Sequence, residues 1–197
     1  KNVIVLINAG AQVDLSFMDE FENIKALLVI VQPGMEGGNA VADILSGKVN
    51  PSGKLADTWA YEYEDYPNSE KFSHNNGNVQ TELYEEGIYV GYKYYETRYE
   101  DAVLNQGNAG DYDYTEEVVY PFGYGLSYTT FDWSNMQTTW SGDECTVTVD
   151  VENTGDMAGK DVVEIYAQSP YTEYDKANGV EKASVQLVAY GKTSELA

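Results

Sequence analysis

The most constraining feature of this sequence is residues 32–59, which place a loop, a short helix, a turn and a new strand in unbroken order. A continuous apolar run at residues 25–31 precedes this segment, as expected of a strand that is covered on both faces. After a Pro-Gly pair, helical spacing is shown by Val41, Ile44 and Leu45. Gly47 then stands where a left-handed residue closes a helix. The segment therefore predicts one strand-helix-strand unit of a layered α/β domain.

The N-terminal region repeats this alternation of strand and helix. Residues 3–7 form a second continuous apolar strand, a helical stretch follows near residues 17–24, and residues 54–59 form a weaker strand. Uninterrupted apolar strands that alternate with helices indicate a partial α/β/α sandwich with a mainly parallel sheet. Three strands make a narrow sheet for this architecture, so we expect the domain to be part of a larger one.

The C-terminal region has a different pattern. Apolar and polar residues alternate at residues 146–151, 162–167 and 184–190, which is typical of an antiparallel β-sandwich. A complete sandwich of this kind has about seven strands, and this region provides four or five. Cys145 shares alternate positions with the valines of the first of these strands, and we expect it to be buried and unreactive.

Composition limits the partners of the chain. With 11 basic and 33 acidic residues, the formal net charge is −22, which repels nucleic acid and anionic membranes. Its apolar runs are far shorter than the roughly 20 residues of a membrane-spanning helix. We therefore expect neither a nucleic-acid partner nor a membrane span, and the sequence indicates no cofactor.

The chain carries two further motifs besides residues 32–59. They are Tyr-Glu-Glu-Gly-Ile-Tyr-Val-Gly-Tyr-Lys-Tyr-Tyr at residues 84–95 and Tyr-Pro-Phe-Gly-Tyr-Gly-Leu-Ser-Tyr at residues 120–128. In this order, the three closely resemble the C-terminal region of family 3 glycoside hydrolases, the β-glucosidase family. The resemblance implies that residues 1–128 are the C-terminal part of that family's α/β sandwich domain, with long Tyr-rich loops. Residues 129–197 would be the truncated start of a fibronectin type III-like β-sandwich.

The resemblance also implies a function for the parent protein. It would be a retaining exo-acting glycosidase that hydrolyses terminal O-glycosidic bonds of oligosaccharides or β-glycosides. In the family, the nucleophile is an aspartate of a separate (β/α)8 barrel, and the acid/base is usually a glutamate upstream of the region matching Lys1. No catalytic residue therefore transfers to this chain, which we expect to be scaffold and cleft wall, inactive without the barrel.

Two alternatives remain open. The chain is a non-catalytic carbohydrate-binding or protein-interaction module, or the parent has a permuted order in which the barrel follows residue 197. The compartment is equally open, since an acidic chain with a single cysteine suits a bacterial enzyme inside or outside the cell. Sugar specificity is also open, because other glycosidase activities occur in the same family.

Five residues are candidates for contact with substrate. Glu36 follows the carboxyl end of a strand and opens a helix, where doubly wound sheets place their ligands. Capping and compensation of the helix dipole are the favoured explanation of this carboxylate. Glu85 and Glu86, flanked by Tyr84 and Tyr89, have the carboxylates and aromatic rings that hold sugars. Packing against a neighbouring domain is the alternative for these four residues.

Other clusters carry less information. The acidic group around Asp111, Asp113, Glu116 and Glu117 has the oxygen ligands of a calcium site but not the spacing of a known calcium loop, so a solvated acidic loop is favoured. His74 is the only histidine, and no nucleophile motif or second metal ligand accompanies it. A nucleotide site is disfavoured because the glycines at residues 34–38 lack the phosphate-binding spacing.

Overall fold

The computed structural model describes residues 1–71, 80, 84–107 and 109–197. His74 lies outside these described residues. The described chain forms two compact units. The first unit comprises residues 1–35, 55–124 and 166–188, and the second comprises residues 36–54, 125–165 and 189–197, with the gaps given above. The sequence-based division at residue 128 stays a prediction.

The first two strands are parallel, as their apolar sequences predict. Strand β1 is Val3–Ile7 and strand β2 is Ile24–Val29, and a short 3-10 helix at Ser16–Glu20 lies between them. The ladder pairs Ile4 with Ala26 and Ile7 with Val29, and the two strands form a sheet of their own. On β1, Ile4 is 50% exposed and Leu6 is 41% exposed, so this apolar strand is only partly covered.

The predicted helix of residues 32–59 is confirmed as α1, Gly37–Leu45. Gly47 has a φ of +76°, a conformation that glycine adopts without steric cost and that ends the helix as the sequence predicts. Its amide donates to the carbonyl of Ile44 at 2.9 Å. These residues belong to the second unit.

The third parallel strand predicted at residues 54–59 is wrong. Strand β3 is only Trp59–Ala60, and it pairs antiparallel with strand β4, Val118–Tyr120. Before β3, the backbone of Leu55 exchanges hydrogen bonds with the carbonyl of Tyr124 and the amide of Gly123, both at 2.8 Å. The segment at residues 123 and 124 therefore hydrogen-bonds to backbone groups that would otherwise pair with a neighbouring parallel strand.

The sequence presents residues 60–120 as irregular, but the described part of this stretch contains two α-helices: α2, Tyr92–Leu104, and α3, Tyr114–Glu117. Tyr95 is fully buried with 0% exposure, and its hydroxyl donates to the carbonyl of Asp65 at 3.0 Å. Around it lie Ala60, Tyr66, Tyr94, Tyr114 and Val118. The core of the first unit is thus built from tyrosines, whose rings pack while their hydroxyls bond to backbone or carboxylate groups.

The predicted C-terminal strands are confirmed and extended. Strand β5, Phe131–Ser141, forms an antiparallel hairpin with strand β6, Glu144–Asn153. Strands β7, Val162–Gln168, and β8, Val185–Lys192, form a further two-stranded sheet. On β6 the valines are half-buried, whereas Cys145 is exposed, so its predicted burial is wrong. It pairs with Trp140 next to the hairpin turn, beyond the part of the strand that is covered.

Asn50 fixes the turn that follows α1. Its Nδ2 donates to the carbonyl of Ala158 at 3.1 Å, and its Oδ1 accepts from the hydroxyl of Ser127 and the amide of Tyr128, both at 2.8 Å. The Tyr128 hydroxyl in turn donates to the carbonyl of Ile44 at 3.0 Å. One amide side chain therefore holds three segments of the second unit together.

A second cluster of hydrogen bonds in the second unit is centred on Asp161, which is 8% exposed. Its Oδ2 accepts from Trp133 Nε1 at 3.0 Å, and its Oδ1 lies 3.3 Å from Lys54 Nζ. Lys54 Nζ also donates to the carbonyl of Gly125 at 2.7 Å. A buried carboxylate is stable here because an ammonium and an indole N–H replace its water.

Helix α4, Glu173–Asn178, belongs to the first unit and is capped by a reciprocal pair. The amide and hydroxyl of Thr172 both donate to Asp175 Oδ2 at 2.7 Å, and Lys182 Nζ donates to the same oxygen at 2.7 Å. Bonding to Lys182 first and to Thr172 second lowers the pKa of Asp175 from 3.8 to about 2.

We expect a Lys182→Met variant to raise the pKa of Asp175 from about 2 towards 3.8, because the largest stabilising partner of the carboxylate is removed. A depressed carboxyl pKa stabilises the fold fully above the unfolded pKa and loses that effect as the pH falls from 3.8 towards 2. Carboxyl-detected NMR titration measures the shift. Lys176→Met on the same helix is the matched control, and an equal shift in that variant would contradict the assignment to Lys182.

Candidate functional site

A groove of about 400 Å³ lies within the first unit. It is lined by residues 11–14 after β1, by Ala60 at the end of β3, by residues 61–63 and 66–69 after β3, and by Glu86. Loops that follow strand ends thus supply nearly all of its wall. This volume is within the range of small-molecule sites in proteins.

Two of the three tyrosines of the groove are held by local hydrogen bonds of their hydroxyls. The Tyr66 hydroxyl accepts from the amide of Ala60 at 3.1 Å, and the Tyr63 hydroxyl donates to the carbonyl of Ser69 at 3.0 Å. Tyr61 and Tyr63 remain 36% and 45% exposed. Burial raises the pKa of Tyr66, so this phenol is neutral at physiological pH. The groove therefore contains two tyrosine hydroxyls that are held by the backbone.

A smaller pocket of about 220 Å³ adjoins the groove and shares Gln12, Tyr66, Pro67 and Glu86 with it. Thr58 lines this pocket and is 2% exposed. Gln12 Nε2 donates to the carbonyl of Thr58 at 3.2 Å. Among the described residues, nothing hydrogen-bonds to Thr58 Oγ1, and this oxygen is out of contact with solvent.

The structure places the four predicted residues of the Tyr84–Tyr89 motif in different surroundings. Tyr84 is 89% exposed. Glu85 forms an ion pair with Lys71 and raises the pKa of that lysine by accepting its hydrogen bond. Glu86 is exposed and lines both the groove and the smaller pocket. The Tyr89 hydroxyl accepts from the amide of Lys182 at 3.1 Å. Of these four residues, only Glu86 is part of the groove wall.

Glu36 belongs to the second unit, whereas the other four candidates belong to the first. It is exposed and occupies the N-cap position of α1. Asn39 Nδ2 donates to its Oε2 at 2.6 Å. Its substrate contact stays a prediction, and so do those of the other four residues.

Sequence reasoning missed Gln12, Tyr61, Tyr63 and Tyr66 as groove residues and Thr58 as a residue of the smaller pocket. The available signal was the Tyr-Glu-Tyr-Glu-Asp-Tyr-Pro run at residues 61–67, where tyrosines alternate with carboxylates. Gln12 and Thr58 carry no local signal, because only the fold brings residues 46 positions apart into one hydrogen bond.

The acidic cluster has a local structural role. Asp113 accepts from the amide of Thr115 at 2.9 Å and from its hydroxyl at 2.7 Å, and so caps α3. Glu116 and Glu117 lie in the first turn of the same helix, where acidic side chains oppose the helix dipole. Burial raises the pKa of Glu117, and the nearby Asp65 raises it further. The described residues contain no group of three or more His, Cys, Asp or Glu side chains that could hold a metal ion.

The groove has the volume of a small-molecule site, and the lack of a catalytic residue in this chain stays a prediction. Retaining glycoside hydrolysis needs two carboxyl groups about 5 to 5.5 Å apart across the scissile bond. The groove lining includes Asp14, Glu62 and Glu86, and none of these matches a catalytic position of the family resemblance. In the described part of the chain, no helix is both long and apolar enough to cross a membrane.

Comparison with known proteins identifies the class to which this fold belongs. Residues 1–92 match the family model described as the Glycosyl hydrolase family 3 C-terminal domain. With the relatives below, which extend over the whole sequence, this match shows that the chain belongs to glycoside hydrolase family 3, and its fold is α/β.

The similar proteins are β-glucosidases. A β-glucosidase of Ruminococcus albus is 37% identical over 197 residues, which is 100% of this chain and 18% of that protein. β-Glucosidase A of Butyrivibrio fibrisolvens is 39% identical over 208 residues, covering 98% of this chain and 22% of that protein. The chain therefore spans about a fifth of the length of these relatives.

Solved structures give the same result. β-Glucosidase 3B of Thermotoga neapolitana, solved in complex with α-D-glucose, is 37% identical and superposes with a TM-score of 0.80 over 100% of this chain and 24% of its own. A β-glucosidase of Paenibacillus barengoltzii is 38% identical, with a TM-score of 0.78 over 99% of this chain and 19% of its own.

Proposed function

We propose that this chain is a scaffold piece of a larger, retaining, exo-acting β-glucosidase that hydrolyses terminal O-glycosidic bonds of oligosaccharides or β-glycosides. The observation that carries the proposal is the coverage of the relatives. The whole chain aligns with β-glucosidases at 37% identity but spans only 18% of the Ruminococcus albus protein. A (β/α)8 barrel elsewhere in the parent supplies the nucleophile.

The exposed strand β1 supports this proposal independently of the alignment. Val3, Ile4 and Leu6 are 38%, 50% and 41% exposed, although their sequence is that of a strand covered on both faces. Within the described residues, β1 and β2 pair only with each other. In the parent, further strands and helices cover these side chains and complete an α/β/α sandwich.

The same proposal assigns roles along the chain. Residues 1–128 are the C-terminal part of the α/β sandwich domain, and residues 129–197 begin a fibronectin type III-like domain, in agreement with the antiparallel hairpin of β5 and β6. Tyr84, Glu85, Glu86 and Tyr89, all of the first unit, contribute to the wall of the substrate cleft, and Glu36 is a separate proposed substrate contact on the second unit. A bacterial parent is part of the proposal and is supported by the relatives from Ruminococcus albus and Butyrivibrio fibrisolvens, while a relative of similar identity comes from the fungus Aspergillus niger.

Turnover tests this function directly. The purified chain should not hydrolyse 4-nitrophenyl β-D-glucopyranoside, because it lacks the barrel nucleophile and the acid/base residue. The parent enzyme should hydrolyse the same substrate with retention of anomeric configuration, which NMR of the first-formed sugar reports. Hydrolysis by the pure chain, or inversion by the parent, would contradict the proposal.

A further inference from the structure

We propose that Tyr120 and Tyr124 form a modification site, at which a one-electron oxidant joins the two rings through a carbon-carbon bond to give dityrosine. Both residues belong to the first unit, Tyr120 at the end of β4 and Tyr124 shortly after it. They line neither the groove nor the smaller pocket, and the modification does not depend on glycosidase activity of the parent. The contact between the two rings is what makes the modification feasible.

The rings of Tyr120 and Tyr124 are stacked. Their centroids are 4.8 Å apart and their planes are inclined by 24°, which is an offset stack of two aromatic side chains. Three other pairs of tyrosine rings meet edge-on, with interplanar angles of 79°, 83° and 69°: Tyr92 with Tyr166, Tyr94 with Tyr95, and Tyr99 with Tyr114. A new bond between two rings forms from π orbitals perpendicular to the ring planes. A stacked pair is therefore aligned for the bond, whereas an edge-on pair is not.

Backbone hydrogen bonds hold both members of the stacked pair. Tyr120 is paired with Trp59 in the antiparallel ladder of β3 and β4. The Tyr124 amide donates to the carbonyl of Pro121 at 3.1 Å, and the Tyr124 carbonyl accepts from the amide of Leu55 at 2.8 Å. The fold thus keeps the two rings in contact before any oxidation, so their coupling does not wait for a chance collision.

The two rings differ in their access to solvent. Tyr124 is 37% exposed, so an oxidant that diffuses in water reaches its ring, whereas Tyr120 is half-buried behind it. Burial raises the pKa of Tyr120, and the neighbouring Tyr124 raises it further, so Tyr120 carries its phenolic proton at neutral pH. That proton leaves together with the electron when the ring is oxidised.

The modification consumes two equivalents of a one-electron oxidant. Each phenol gives up one electron to the oxidant and one proton to water, which leaves two phenoxyl radicals. Their unpaired electrons combine in one bond between an ortho carbon of each ring. Each of these carbons then loses its hydrogen as a proton while the ring oxygen takes up a proton, which restores both phenols. The product is two hydrogens lighter, and the oxidant is reduced by two electrons in total.

Photo-oxidation of the 197-residue chain tests the site. A ruthenium(II) tris-bipyridine complex, illuminated in the presence of persulfate, supplies the one-electron oxidant, and a dilute chain keeps coupling between molecules low. Cleavage after Glu117 and Glu144 releases peptide 118–144, which contains both tyrosines. We expect this peptide to lose two hydrogens and to give no backbone fragments between residues 120 and 124 in tandem mass spectrometry. Absence of this product from the oxidised folded chain overturns the inference.

The unfolded chain and an edge-on pair are the controls. In urea that unfolds the chain, we expect about tenfold less linkage of Tyr120 to Tyr124, because the two rings must then meet by diffusion. Tyr99 is 50% exposed, more than Tyr124, but it meets Tyr114 edge-on. Equal linkage of Tyr120 to Tyr124 in urea, or a link between Tyr99 and Tyr114 that is equally abundant in the folded chain, overturns the inference.

Variants assign the linked residues. Tyr124→Phe keeps a ring of similar shape but cannot form a phenoxyl radical, so we expect the linked peptide to disappear. Tyr120→Phe should remove it in the same way, and it replaces the first variant if that one does not fold. Tyr99→Phe is the matched control, because it removes a more exposed phenol from an edge-on pair and should leave the yield unchanged. A linked peptide 118–144 in Tyr124→Phe, or its loss in Tyr99→Phe, overturns the inference.

Discussion

Gly125→Ala is expected to destabilise the second unit by about 3 kcal/mol, an effect at the upper end of overpacking substitutions. A Cβ atom at residue 125 would lie far closer to the Gly53 carbonyl oxygen than van der Waals contact allows, and 3.1 Å from Lys54 Cδ. The obstructing atom is backbone, so a change of side-chain rotamer cannot relieve the contact. Urea unfolding followed by circular dichroism measures the loss.

Gly53→Ala is the matched control for this substitution. Gly53 provides the other half of the close approach, yet a Cβ atom added to it would meet no heavy atom within 4 Å. We expect its effect to stay within about 0.5 kcal/mol of the parent chain, as for other exposed positions. Equal destabilisation by the two variants would show that the approach of the two backbones is not what constrains residue 125.

Tyr95→Ala is expected to cost about 3 to 5 kcal/mol in the first unit, as for other large aromatic residues removed from a core. Tyr95 is the one described side chain of its size with 0% exposure. Its ring meets Tyr94 edge-on at 5.1 Å between centroids, and its hydroxyl donates to Asp65. The substitution therefore leaves a cavity and an unpaired carbonyl, and the urea midpoint should fall accordingly.

Two variants separate the contributions of the ring and the hydroxyl. Tyr95→Phe keeps the ring and loses one hydrogen bond, so we expect a cost of about 1 kcal/mol. Tyr99→Ala, one turn further along α2, removes a ring that is 50% exposed and should cost less than Tyr95→Ala. A loss in Tyr99→Ala as large as that in Tyr95→Ala would contradict the placement of Tyr95 at the centre of the core.

Local sequence patterns predicted the helices and strands in which apolar residues recur at a regular spacing. The apolar run at residues 3–7 predicted β1, and helical spacing followed by Gly47 predicted α1 with its end. The alternation at residues 146–151 predicted β6. In each of these cases the information lies within about ten neighbouring residues, so the fold of distant parts does not alter it.

Two kinds of information were absent from local sequence. The run at residues 54–59 resembles a strand, but its backbone pairs with residues 123 and 124, and that choice depends on a segment about 70 positions away. Helix α2 was hidden because tyrosines supply its buried face, and an amphipathic residue marks burial less clearly than leucine or valine does. The exposure of Cys145 follows from its place beside a hairpin turn, which alternation alone does not report.

Of the five residues predicted from the sequence, only Glu86 lines the groove. Glu86 was identified because a carboxylate beside tyrosines is a local signal, and it does line the groove. Tyr89 carries the same signal, yet its hydroxyl is engaged by the amide of Lys182. Whether such a tyrosine faces a ligand or the backbone depends on a partner 93 residues away, and the sequence neighbourhood cannot supply this.

The hydrogen-bonded junction at Asn50 also affects the chemical ageing of the chain. Asparagine side chains deamidate when the nitrogen of the next residue attacks the amide carbon, and this nitrogen needs a hydrogen to lose. Asn50 precedes Pro51, which has no backbone N–H, so the usual cyclic imide cannot form there. Conversion to aspartate would replace the Nδ2 donor to Ala158 with a negative charge. A side chain that joins three segments of the second unit is therefore protected from its commonest spontaneous damage by the residue that follows it.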